Sequence, residues 1–155
     1  MRAQISTEYL IILGIAIAAI IPAGYFFYQY SSTSNDQTIR GQIETIGNEI
    51  LVNAESIYGL ADGSLVSLDV RFPETIQDVI ILNNNELIIK YELSTGFTEA
   101  VFFSNVDMSG NVTYPLRADT PIKQTNSFLS KNAIASGKTT IKFESKTNYV
   151  LITKQ

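Results

Sequence analysis

The spacing of hydrophobic positions along this chain changes twice. Across residues 9–28 nearly every residue is apolar or small, and no charged residue occurs between Glu8 and Asp36. About 20 such residues make a helix roughly 30 Å long, enough to cross the hydrocarbon core of a bilayer. Tyr25, Phe26, Phe27, Tyr28 and Tyr30 at its far end have the character of an interfacial aromatic belt. The polar residues 31–36 read as a loop or a hydrated helical junction. Beyond them Ile39, Ile43, Ile46, Ile50 and Ile57 recur at helical spacing. They mark one apolar stripe of an amphipathic helix, with Arg40, Gln42, Glu44, Asn48 and Glu49 mostly off it. Asn35 or Asp36 is a candidate cap, and Tyr58-Gly59 the expected stop. Pro22 with Gly24 predicts a kink or local melting in the apolar half, and Gly41 and Gly47 are further weak points.

From Ser64 the period falls to two. Val66, Leu68, Val70 and Phe72 alternate with Ser67, Asp69 and Arg71, the pattern of a half-buried strand. Residues 79–82 read as a short buried strand, 83–85 as a turn, and 86–93 as a strand. A second turn at 94–96 leads to a strand over 97–106, and Ser109-Gly110-Asn111 reads as a third turn. Val112-Thr113-Tyr114 follow it. Residues 115–136 are ambiguous, and 139–145 with 149–153 predict a hairpin around Lys146-Thr147-Asn148. The expected fold is α+β. A long N-terminal helix, membrane-spanning and then amphipathic, packs on a C-terminal antiparallel β-sheet or small β-sandwich.

Composition narrows the function. Of 155 residues, 45% are hydrophobic and 17% charged, so a membrane span leaves one modest globular domain. The net charge of −4 and the lack of a basic stripe argue against nucleic-acid binding. With no cysteine, disulfides and thiolate metal sites are excluded, and with no histidine the commonest general base is missing. Neither a Ser-x-x-Lys nor a Gly-x-Ser-x-Gly motif occurs, so no catalytic residues are assigned and the chain is not read as an enzyme. No cofactor is expected. Asp107-Met108-Ser109-Gly110-Asn111 faintly resembles a calcium loop but lacks a downstream glutamate at the right distance; turn chemistry explains it better, and no metal site is assigned. Asn111-Val112-Thr113 is an N-glycosylation sequon, making Asn111 a candidate modification site.

The start of the chain carries the most information. Arg2, Ala3, Gln4, Ser6 and Glu8 precede Tyr9-Leu10 and the apolar run. A secretory signal has a shorter apolar stretch, with a small-residue cleavage site after it. A carboxylate at the edge of a membrane helix is costly and marks function by default. The segment resembles the class III signal peptide of archaeal type IV pilin-like proteins: a basic residue, then Gly or Ala, then Gln-x-Ser-x-Glu before an apolar helix.

That resemblance implies cleavage by a prepilin peptidase between Ala3 and Gln4 on the cytoplasmic side. The chain would then divide into a leader at 1–3, a pilin-type helix at 4–58 and a β-rich extracellular domain at 59–155. Glu8 becomes the fifth mature residue, where a neighbour's new amino terminus can compensate its charge during assembly. The implied partners are other copies of the chain in a helical polymer, the peptidase, a pilus assembly ATPase with its membrane platform, and membrane lipid before assembly. Gly14, Ala16, Ala18, Ala19, Pro22, Ala23 and Gly24 lie in the helix that would pack in the filament core, and the small ones permit close helix approach. The precursor is expected in the plasma membrane and the mature form in a surface filament serving adhesion. A single-pass anchored binding protein that never polymerises, or a minor pilin-like component, remain alternatives.

Overall fold

The computed structural model describes residues 2–115, 125–128 and 137–154. One helix, α1, runs Arg2–Tyr58, and among the described residues nine strands follow: β1 (Leu65–Phe72), β2 (Ile76–Leu82), β3 (Glu86–Leu93), β4 (Gly96–Phe103), β5 (Met108–Gly110), β6 (Val112–Pro115), β7 (Thr125–Phe128), β8 (Gly137–Ser145) and β9 (Val150–Lys154). The chain forms two compact units, Met1–Thr38 and Ile39–Gln155.

The first unit is helix alone. Residues 31–36 do not form a loop: of the two expectations the helical junction holds, and α1 continues through them. Thr33 Oγ1 donates to the Gln29 carbonyl at 3.0 Å and Thr38 Oγ1 to that of Ser34 at 3.0 Å. Nor does α1 melt at Pro22 and Gly24; it continues through them as α-helix. Proline lacks the N–H that would bond four residues back, but the bonds on either side carry the helix across that gap.

The second unit holds the core. Ile39, Ile43, Ile46, Ile50, Ala54 and Ile57 are all buried, so the predicted stripe is the helix's inward face. It packs in one cluster with Val70, Phe72, Val79, Ile81, Leu87, Ile89, Ile141, Phe143, Val150 and Ile152 from the strands. These strand residues alternate with outward positions, as a one-sided sheet requires. The strands form two sheets, ordered β1-β8-β9-β5 and β4-β3-β2-β7-β6. At Gly47 the helix lacks a side chain where the Phe102 ring approaches: an added Cβ would lie 2.2 Å from Phe102 Cζ. Glu55 Oε1 accepts from the backbone N–H and Nδ2 of Asn105 at 3.2 and 3.0 Å, fastening the helix to the chain after β4.

The β2–β3 turn is built by asparagine. Asn83 and Asn84 have φ of 53° and 66°, and Asn85 N–H donates to the Leu82 carbonyl at 3.3 Å. Asparagine tolerates this left-handed conformation better than most residues. Three expectations need correction. The strand predicted over 97–106 ends at Phe103, where Ser104 N–H turns to the Asn85 carbonyl at 2.7 Å. Ser109-Gly110-Asn111 is not a turn: Met108–Gly110 is strand β5, which runs parallel to β9. Met108 is fully buried, so this segment enters the core rather than reversing over it. The sheets are therefore antiparallel except for that one pair. Residues 115–136 lie mostly outside the described residues, save for Pro115 and β7.

Candidate functional site

The sites expected from the sequence fall in different units, and the helix of the first unit carries most of them. Its backbone is helical from Arg2, so Ala3, Gln4 and Ser6 belong to the first turns of α1. Glu8 lies at the near edge of the apolar run and is exposed. Its carboxylate has no ion-pair or hydrogen-bond partner among the described residues. Gln4 precedes Glu8 by one helical turn, which places the two positions on one face.

Among the described residues nothing covers the apolar run. Leu10, Ile12, Ile15, Ile20 and Ile21 are all exposed, with Ile20 at 67% and Phe27 at 74%. A water-facing helix carries its apolar residues on one stripe, whereas a helix apolar all round is one that lipid or other protein surrounds. This is the one helix among the described residues long and apolar enough to cross a membrane. Such a helix suggests membrane anchoring. Tyr25 and Phe26 meet edge to face with ring centroids 6.0 Å apart, at the end where aromatic residues favour the lipid–water boundary.

Helical geometry sorts the small residues into two faces. Gly14, Ala18 and Pro22 stand four apart on one. Ala16, Ala19 and Ala23 share another, roughly a third of a turn round the axis. Gly24 falls outside both. At Gly14 and Gly24 an added Cβ would meet nothing within 4 Å among the described residues.

In the second unit, Asn111 is exposed between β5 and β6, and the sequon's Val112 and Thr113 start β6. Sequence reasoning missed a recess of about 260 Å³ lined by Asn84, Asp107, Met108, Ser109, Asn148 and Tyr149. Asp107 and Ser109 belong to the segment that faintly resembles a calcium loop and by sequence reads as a turn. The fold brings them instead beside residues from the β2–β3 and β8–β9 turns. Only the parallel pairing of β5 with β9 creates that neighbourhood, and no periodicity announces it. Also unforeseen is the outward row of β4, where Phe97, Val101 and Phe103 are exposed on a strand paired, among the described residues, with β3 alone.

Comparison with known protein families, curated proteins and solved structures gives no match.

Proposed function

We propose that this chain is the precursor of a structural subunit of an archaeal type IV pilus-like surface filament. The observation that carries the reading is an apolar helix left uncovered on every side. Its single carboxylate, Glu8, stands at the edge with no partner among the described residues, in the sequence context Ala3-Gln4-Ile5-Ser6-Thr7-Glu8. In this reading the precursor inserts with its amino terminus inside. A prepilin peptidase removes Met1-Arg2-Ala3, and an assembly ATPase with its membrane platform extracts the mature subunit. The helix then exchanges lipid for neighbouring helices. Lipid tails and isoleucine side chains are similarly apolar, so the exchange changes little hydrophobic energy, and small residues decide how closely backbones approach. Two small-residue faces suit a helix with neighbours on more than one side. The new amine at Gln4 supplies the charge that Glu8 lacks within its own chain. Exposed Phe97, Val101 and Phe103 fit a domain whose outer face meets further copies, since apolar patches mark interaction surfaces. Adhesion is the proposed use.

The rival is a membrane-anchored binding protein that never polymerises, which the same helix would also serve. Replacing Glu8 with Ala separates them. The filament reading expects Glu8→Ala to insert in the membrane normally yet yield no sheared surface filaments. It also expects the wild-type chain in filaments to begin at Gln4 or its cyclised form. Filaments assembled normally by the variant, or a wild-type chain still starting at Met1 and confined to membranes, would sink it.

A further inference from the structure

We infer that the recess between the β2–β3 turn, the β4–β5 connection and the β8–β9 turn binds one hydroxyl-rich sugar ring of an external glycan. This goes beyond the filament reading and does not depend on it, because an anchored monomer would carry the same site.

The frame is fixed before any ligand arrives. Met108 N–H donates to the Asn84 carbonyl at 2.5 Å, Val150 N–H to that of Asp107 at 2.8 Å, and Lys146 N–H to that of Tyr149 at 2.9 Å. Three segments distant in sequence are thus held by their own backbones. Rigid placement of recognition groups lowers the ordering cost of binding.

The side chains, by contrast, are left over. Asn84, Asp107 and Asn148 are exposed, and their polar groups have no partner among the described residues. Ser109 Oγ makes only a long 3.5 Å contact to the Gly110 carbonyl. Met108 is a fully buried apolar neighbour, and Tyr149 is 39% exposed. Turn chemistry explains asparagine at position 84, where φ is positive, but does not require a free carboxylate at 107.

The set selects its ligand class. A carboxylate accepts from two neighbouring hydroxyls, while carboxamides both donate and accept. A half-open phenol ring offers a flat apolar face to the C–H side of a sugar. No lysine or arginine lines the recess, which disfavours phosphate and carboxylate ligands. It holds one carboxylate only, whereas calcium takes 6–8 oxygen ligands with carboxylates prominent among them. Its size falls below the roughly 300–1,000 Å³ of pockets for drug-sized molecules, which suits a single ring. Weak binding at one such site becomes strong where many copies face one glycan-coated surface.

The test is a titration of the full-length chain in detergent micelles, watched by NMR. The probes are the methyl glycosides of glucose, galactose, mannose and N-acetylglucosamine. Saturable shifts of the Asn84 and Asn148 carboxamides and the Tyr149 ring are expected with at least one glycoside, at millimolar affinity. Asp107→Asn and Tyr149→Ala should each weaken that binding by about tenfold or more, at unchanged domain melting temperature. The inference fails if none of the glycosides gives a saturable shift at tens of millimolar. It fails equally if shifts persist unchanged in both variants, or if calcium chloride alone saturates these residues while the glycosides do not.

Discussion

The two halves of α1 use the same residue types to opposite ends. Between Ile39 and Ile57 the isoleucines fall on one stripe, and each is buried in the domain core. Between Tyr9 and Tyr28 isoleucine is as common, yet the side chains point in every direction and none is buried. The glycines differ in the same way. An added Cβ at Gly47 would collide with the Phe102 ring, while at Gly14 and Gly24 it would meet open space. Burial is thus decided by arrangement rather than by residue type. One half of the helix answers to its own fold; the other is apolar and exposed all round, which suggests membrane anchoring.

This contrast breaks most visibly with one alanine in each half. Ile50 is fully buried, so Ile50→Ala should cost the domain about 2–5 kcal/mol through lost transfer energy and the cavity left behind. Ile12→Ala, by the same logic, should leave domain melting unchanged and disturb only membrane insertion or assembly. Both are read by thermal denaturation of the full chain in detergent, followed by near-ultraviolet circular dichroism. Equal melting temperatures for the two variants would erase the distinction drawn here.

A pair of glycine substitutions sharpens it. Gly47→Ala places Cβ within 2.2–2.5 Å of three Phe102 ring atoms, so the ring or the helix must shift. Overpacking of that kind costs about 1–3 kcal/mol, against roughly 1 kcal/mol of helix propensity gained. A net loss of stability is expected. Gly24→Ala takes the propensity gain with nothing to collide with, and should leave the domain's melting untouched. A stabilised Gly47→Ala domain would mean that Phe102 yields freely.

The polar tie of the lower helix half comes next. Glu55→Ala removes the acceptor of two hydrogen bonds from Asn105. Both donors are exposed and regain water, so a loss of about 1 kcal/mol is expected, with Glu55→Gln keeping part of it. The same denaturation measurement decides it, and a change of several kcal/mol would indicate a larger role for this contact.

Legibility followed the same divide. The stripe at Ile39, Ile43, Ile46, Ile50 and Ile57, the span over residues 9–28 and the alternation of β1 were all readable, because each is set by local period. The Asn83–Asn84 turn was readable too, since asparagine carries its own conformational preference. What stayed hidden depends on pairing between distant segments. Met108–Gly110 carries turn residues, and only its place beside β9 makes it a strand. The recess at Asp107 and Tyr149 follows from that pairing, and the fit of Gly47 to Phe102 depends on how the helix packs on β4. For residues 31–36 the sequence left a loop and a helical junction both open. Serine, threonine and asparagine have modest helix propensity and compete for backbone bonds, so local composition alone does not choose between the two.

The smallest expected effect lies on the solvent face of the second unit, far from any core. Asp69 on β1 accepts from Thr140 Oγ1 at 2.6 Å and pairs with Lys138 Nζ at 2.8 Å. The hydrogen bond from Lys138, then that from Thr140, hold its carboxyl below the ordinary carboxylate value. A pKa depressed by folding means the unfolded chain binds the proton more readily. The contribution is therefore complete above the ordinary value of 3.8 and fades as pH falls through the lowered one. Asp69→Asn should be slightly less stable than wild type at neutral pH, and the gap should close in acid. Because the pair is exposed, salt should shrink the gap as well. Melting curves of both chains across that acid range, at low and high salt, test the sign. A gap that widens as pH falls would show that the carboxylate is a burden to the fold rather than a support.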